Sequence, residues 1–425
     1  MRARTPRRRA LGLVAGLAVV ALLASGCAGE RSVSVDTPPQ VDGPIAEDTR
    51  VQLEGAVTHA MAAAGASGAI VGVWVPWSGS WVAGLGTTSV ADATPVSVDM
   101  AFRIGDVTRP MICDVLYGVA ADGMVSLDDS VSDYVSGVPN LEGVTLLELC
   151  NGTSGIGSYE GRLSGSWLSN PDREWSPREL ASYGLGAAPL AADVFTGTDT
   201  GYVLLGLAME RATNKSAPAL ITQYVADPLD LDHTFLPKPA SAPPAKSGPV
   251  LDGHYLVPGA DGALNCAEPG DITTISSSGG FTDSGATSTI ADLGRYGQAL
   301  ASGALATGDL PDRWAGAVPA SADGPSWAQA VGGAYLAGSM IGQYGSFPGY
   351  LTSVYSDPAT GMTVAVTLNN STAGAGLAGS LAYELAAIAS KAPAASGQTA
   401  PEFGLPWTAQ QFHDAITQAA VCPVA

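Results

Sequence analysis

Two pairs of strand-like runs stand near opposite ends of this 425-residue chain, with a long helical stretch between them. Gly68 to Pro76 alternates like a strand, Trp77-Ser78-Gly79-Ser80 reads as a turn, and Trp81 to Leu85 reads as its hairpin partner. Tyr350 to Ser356 and Met362 to Leu368 read as two further strands across the turn Asp357-Pro358-Ala359-Thr360-Gly361. The stretch from Val107 to about Met209 reads as helices and loops. This order predicts one sheet assembled from both chain ends and flanked by helices, with a mainly helical subdomain inserted, an α/β (α+β) class. The flanking helices are Glu47 to Ala64, Ala-rich with apolar residues at helical spacing, and Leu377 to Lys391. Residues 392–406 are a Pro/Ala/Gly linker, and Thr408 to Ala420 reads as a short last helix. There are no internal repeats.

The first residues predict the compartment. Arg2, Arg4, Arg7, Arg8 and Arg9 form a cationic segment, followed by an apolar run from Ala10 to Leu23. Leu23-Ala24-Ser25-Gly26-Cys27 then reads as a lipobox. Residues 1–26 are thus expected to be a lipoprotein signal peptide, with Cys27 lipidated and residues 27–46 a flexible tether. An apolar run that ends directly on the Cys argues against an uncleaved signal anchor. The Arg8-Arg9 pair leaves a twin-arginine export route open beside the general one. The expected product is exported and held at the outer face of the cell membrane by its lipid alone.

Removing residues 1–26 takes away five Arg and no acid, leaving 14 basic against 39 acidic residues, a net charge of −25. A surface this acidic repels phosphate backbones, so no nucleic-acid partner is expected, and solubility accounts for the excess acid. The 46% hydrophobic content supplies ample core. Cys113, Cys150, Cys266 and Cys422 remain beyond Cys27; an even number in an exported chain predicts two disulfides with three possible connectivities, buried free thiols being the alternative. His59, His233, His254 and His413 are scattered without metal-ligand spacing, so neither a zinc site nor any cofactor is expected.

The run Phe102-Arg103-Ile104-Gly105-Asp106-Val107-Thr108-Arg109 resembles the F-R-I-G-S-V-T-K segment that opens the catalytic helix of serine β-lactamases and penicillin-binding proteins. Gly123-Met124-Val125-Ser126-Leu127-Asp128-Asp129-Ser130-Val131 is similar to that family's G-x-L-x-L-D-D-x-V turn. Asp227-Pro228-Leu229 through Thr234-Phe235 is similar to its D-P-L-G-M-x-x-T-F segment. Gly279-Gly280 followed by Ser288-Thr289-Ile290-Ala291-Asp292-Leu293 is similar to G-G-x-x-S-T-A-x-D-L. The resemblance runs from about residue 50 to 390 and is nearest to class C β-lactamases and D-alanyl-D-alanine carboxypeptidases. It implies a β-lactamase/transpeptidase-like fold and a serine hydrolase domain over residues 47–391, with residues 392–425 as linker and short helix. It also implies that Cys150, just before the loop Gly152-Thr153-Ser154-Gly155, lies near the catalytic helix. Cys113, seven residues after Asp106, shares that helix face, so the expected pairs are Cys113–Cys150 and Cys266–Cys422.

Every catalytic position of the pattern is nevertheless substituted. Asp106 stands at the nucleophilic Ser and Arg109 at the Lys. Aligning through Thr200-Gly201-Tyr202 places Gly197-Thr198-Asp199 on the Y-x-N motif. Aligning through Pro348-Gly349-Tyr350 places Gln343-Tyr344-Gly345 on H-x-G or K-T-G, and the His of H-T-S-G is Gly152. Acyl transfer needs a nucleophile and a neighbour that takes its proton. The acyl product of Asp106 would be a labile anhydride, Arg109 stays protonated, Gly197 relays nothing and Gln343 carries no charge. None of the four lysines (Lys215, Lys238, Lys246, Lys391) follows a Ser or Thr by three residues, and Lys246-Ser247-Gly248 sits in a Pro-rich run rather than before a strand.

Two roles remain open for Asp106. As the structural one, it caps the helix start, pairs with Arg109 one turn on, and fills the former nucleophile pocket. As the chemical one, it faces Asp199 as an acid/base pair around Arg109. Tyr159, Trp167, Thr198, Tyr344 and Gly345 are the candidates for lining the remaining cleft. The leading expectation is a pseudoenzyme that binds a cell-wall peptide or an envelope protein through that cleft; the alternatives are a hydrolase with non-standard residues and a closed, purely structural lipoprotein.

Overall fold

The computed structural model describes residue 1 and residues 32–138, 141–259, 262–402 and 404–424. Met1–Arg31 and Ser32–Ala425 are separate units, and only the second is treated below. The expected signal peptide and Cys27 lie outside the described residues. Among those described, no helix is long and apolar enough to cross a membrane.

An eight-stranded antiparallel sheet forms the centre. Its strands are β1 (Gly68–Val75), β2 (Gly79–Gly86), β7 (Val318–Pro319), β8 (Ala328–Val331), β9 (Ala334–Ala337), β10 (Met340–Phe347), β11 (Tyr350–Ser356) and β12 (Thr363–Leu368). They lie in the order β2-β1-β12-β11-β10-β9-β8-β7. Two short ladders, β3 (Phe102–Arg103) with β6 (Thr287–Ser288) and β4 (His254–Tyr255) with β5 (Gly270–Asp271), brace the loops. The two chain ends meet where β1 pairs β12, Ala69 opposite Leu368.

Alternation along β1 sends side chains to two different layers. Ala69, Val71, Val73 and Val75 join the core formed with α1 (Glu47–Ala64), α10 (Ala375–Ala389) and α11 (Ala409–Gln418). Ile70 joins the other core, with α2 (Thr108–Ala121), α6 (Asp199–Thr213) and α9 (Ile290–Ser302). The remaining helices, α3 (Leu146–Asn151), α4 (Glu160–Ser169), α5 (Pro177–Leu185), α7 (Ala217–Ile221) and α8 (Phe281–Ser284), build the inserted subdomain and its junction with the sheet. With both faces covered, β11 and β12 are buried at every residue.

Both expected disulfides are present. Cys113–Cys150 joins α2 to α3, and Cys266–Cys422 fastens the chain end beyond α11. Helix α1 stops at Gly65, left-handed at φ 65°, where a Cβ would stand 2.7 Å from Cys422 Sγ.

Two sequence expectations need revision, and part of the sheet went unpredicted. The expected tether is bound to the domain from Val33 onward. Val33 N–H donates to Pro228 O (2.8 Å), Val41 N–H to Pro76 O (3.0 Å), and Ile45, which is buried, to Ser80 O (3.1 Å). Val33 and Val35 pack against one core and Ile45 joins the other, contacts that a Gly/Ser linker would lack. Strands β8 to β10 carried no strand signal, because Gly and Ala dominate residues 328–345 and lack intrinsic strand preference. The histidines are not all scattered: the fold stacks the rings of His59 and His413 at 3.8 Å.

Candidate functional site

The site forms where β10 passes the entry of α2. A one-turn 3-10 segment, Gly105–Val107, precedes the helix, with Gly105 at φ +54°. A Cβ on Gly105 would lie 2.6 Å from the Ser346 carbonyl carbon, and one on Gly345 would lie 2.3 Å from Asp106 Cβ. The two glycines therefore let the strand press directly on the Asp106 turn.

Asp106 does not cap the helix. No side-chain cap hydrogen bond is made at either start, because Asp106 is the middle residue of the 3-10 turn and not a cap position. Thr108 organises the turn instead, its Oγ1 donating to Gly105 O (2.7 Å) and accepting from Ala286 N–H (3.1 Å).

Arg109 is the hub. Its Nε donates to Asp283 Oδ1 (2.8 Å), its Nη2 to Asp199 Oδ1 (2.7 Å), and its Nη1 to Gly197 O (3.1 Å). The guanidinium lies over the Tyr202 ring, 5.1 Å from the centroid. Asp106 is the weakest partner, with Oδ2 3.5 Å from Nη2. Asp199 opens α6 and also accepts from Ser158 Oγ and from Glu160 N–H (3.3 Å). Asp283 in α8 accepts from Tyr159 Oη (3.3 Å). Asp106 and Asp199 thus share one nitrogen of Arg109, and Asp283, not Asp106, is the second strong partner.

Four carboxylates (Asp106, Asp199, Asp283 and Glu160) surround a single guanidinium. Burial raises the Asp106 carboxyl well above the usual range; Arg109 opposes this, while Asp283, Glu160 and Asp199 reinforce it. Burial and the charge of Asp199 push Asp283 up to about 6 against the pull of Arg109. Glu160 is exposed as a residue, yet lost hydration and the charges of Asp199 and Asp283 push it up to about 7. For Arg109, burial alone would favour the neutral form, but Asp106, Asp283 and Asp199 overcome it and hold the group protonated.

Gln343 is buried and internally satisfied: Nε2 donates to Gly333 O (2.8 Å) and Oε1 accepts from Tyr344 N–H (2.9 Å). Tyr344 stacks on Tyr335 with centroids 4.9 Å apart. Thr198 is buried at the N-cap of α6 without a side-chain cap bond. Gly152 ends α3 in the left-handed region, and its carbonyl accepts from Thr196 N–H (2.9 Å), fixing the loop that delivers Gly197 and Asp199.

A cleft of about 420 Å³ opens beside the hub, walled by Glu160, Trp167, Tyr255, Ser346, Pro348 and Thr372. Trp167 belongs to it; Tyr159 does not. Tyr159 is fully buried, since its hydroxyl reaches inward to Asp283 and Gly279 O. The sequence reading missed Asp283 and Glu160. Asp283 left one signal, being the sole acid from Gly279 to Ala291, between two runs that carry the family resemblance.

The fold and this site define the class: a sheet built from both chain ends, a helical insert, and the entry of α2 pressed against a sheet strand. The chain belongs to the beta-lactamase family, whose model matches residues 53–388. It is similar to penicillin-binding protein 4* of Bacillus subtilis (strain 168), 24% identical over 151 residues; the match covers 35% of this chain and about a third (33%) of that relative. In solved structures it resembles a D-stereospecific amidohydrolase from Streptomyces sp. (TM-score 0.64, 21% identity, 77% of this chain and 95% of that one). It also resembles the octameric penicillin-binding protein homologue from Pyrococcus abyssi (TM-score 0.61, 20% identity, 80% and 77%). These structural likenesses establish the fold.

Proposed function

We propose that this chain is an exported, lipid-anchored member of the beta-lactamase family that has lost serine acyl transfer and binds a cell-wall peptide through its cleft. The single observation that carries the reading is Arg109 where the family pattern has its Lys, fixed by Asp199 and Asp283 at 2.7 and 2.8 Å. A cation held by two buried carboxylates cannot accept a proton from a nucleophile. Asp106 beside it is a carboxyl, and Gly197 contributes only a backbone carbonyl, which Arg109 already occupies. Trp167 and Tyr255 give the cleft apolar walls, and Glu160 gives it an acceptor for a peptide N–H or ammonium group.

A second reading rests on one specific feature. Asp106 and Asp199 approach the same Arg109 nitrogen, and Asp106 favours its protonated form, so an acid and a carboxylate stand together as general acid–base hydrolysis requires.

Exposure of the protein to a fluorescent penicillin and to a D-Ala-D-Ala peptide separates the two. The proposed reading expects no covalent adduct and no turnover, together with a melting temperature raised by muropeptides. Turnover that disappears in Asp106→Ala would establish the second reading and overturn the first.

A further inference from the structure

The layer on the opposite face of the sheet from Arg109 holds an unusual group of side chains. Helix α10 reads AGLAGSLAYELAAIA, and Glu384 is its one charged residue, 4% exposed. Its Oε1 meets His413 Nδ1 of α11 at 3.0 Å, while Oε2 is buried with no hydrogen-bond partner. The His413 ring stacks on His59 of α1, centroids 3.8 Å apart and planes 17° from parallel. His59 Nε2 meets Thr417 Oγ1 at 3.1 Å, and its Nδ1 is buried and without a partner. One donor atom from each of the three residues lies within 4.8 Å of the others.

We propose that His59, Glu384 and His413 bind a divalent transition-metal ion, zinc by preference, which pins α11 to α1 and α10. Two imidazoles and one carboxylate are a donor set that zinc takes with a water in the fourth position. The two orphaned atoms argue for a cation in particular: a buried carboxylate oxygen and a buried imidazole nitrogen without partners are costly, and one ion satisfies both. Zinc bonds of about 2.0–2.2 Å require the donors to close in from their present spacing. Nearly parallel rings cannot both aim a lone pair at one ion, so one imidazole leaves the stack as the ion enters. His59 and His413 are only partly buried, which gives the rings that freedom.

The proposal is independent of what the cleft does. Its test is titration of the full chain, stripped with EDTA, by zinc chloride in a calorimeter and by cobalt(II) chloride in a spectrophotometer. The expected result is one ion per chain, a raised melting temperature, and the intense visible absorption of four-coordinate cobalt. His59→Asn and His413→Asn should each weaken binding by more than about 100-fold, since outer-shell partners alone are worth 10–100-fold. Absence of saturable 1:1 binding overturns the proposal, as does affinity unchanged in the double variant. The cobalt spectrum of the unaltered chain decides the matter even if a variant fails to fold: bands of a six-coordinate aquo ion would sink it.

Discussion

Arg109 and Asp283 are joined by a 2.8 Å hydrogen bond across 174 residues of chain, and that bond fastens the entry of α2 to α8. Together with Asp199 it turns the position of the family's reactive pair into a buried ionic strut.

Removing the hub should be expensive. Arg109→Ala leaves Asp199 and Asp283 buried without their cation, and breaking such a group costs about 3–5 kcal/mol. Chemical denaturation followed by circular dichroism should show a loss of that order, and a near-neutral result would mean that the cluster relaxes into water.

Restoring the family's reactive letters should not restore its reaction. In Asp106→Ser/Arg109→Lys the new ammonium inherits Asp199 and Asp283, which keep it charged and unable to accept a proton, and Gly197 still offers no relay. Incubation with a fluorescent penicillin is expected to leave this double variant unlabelled.

The close approach of β10 to the Asp106 turn predicts intolerance at a residue with no chemistry of its own. Gly345→Ala places a methyl 2.3 Å from Asp106 Cβ, and overpacking of this kind costs roughly 1–3 kcal/mol. Its melting temperature should fall below that of the unaltered protein, and Gly105→Ala should fall too because of its +54° φ.

Acidity should stabilise the cluster. Glu160 at about 7 and Asp283 at about 6 hold their protons more tightly folded than unfolded. Their contribution is complete at acid pH below the unfolded carboxyl range and is lost as pH rises through the folded values. Glu160→Gln is expected to melt above the unaltered chain at pH 7.5, with the gap closing by pH 5; a pH-independent gap would contradict the assignment.

The disulfides bridge separations of 37 and 156 residues. Loop-closure entropy assigns them about 4 and about 5 kcal/mol respectively. Melts of the two double Cys→Ala variants should both fall, the larger drop following loss of Cys266–Cys422.

The fold was legible because strand and helix periodicity survive at both chain ends, where β1, β11, β12 and α1 match their expected spans within one residue. Strands β8 to β10 were illegible, since a glycine such as Gly345 is chosen for proximity to Asp106 and not for strand preference. The substituted positions Asp106, Arg109, Gly197, Asp199 and Gln343 could be read by alignment alone. Their partners could not, because Asp283 and Glu160 become neighbours of Arg109 only through the fold. Likewise His59 and Glu384 give no motif: they stand on separate helices, and only packing of α1 against α10 brings them together.

The pairing of Ala69 with Leu368 also dictates an order of events. A hairpin of β1 and β2 has one edge that stays open until Thr363–Leu368 has been released, and an isolated hairpin is at best marginally stable. The N-terminal strands must therefore wait, exposed, for β12 to arrive. This makes completion of the sheet a late step and gives the waiting chain, rather than the finished one, the greater need of protection from edge-to-edge association.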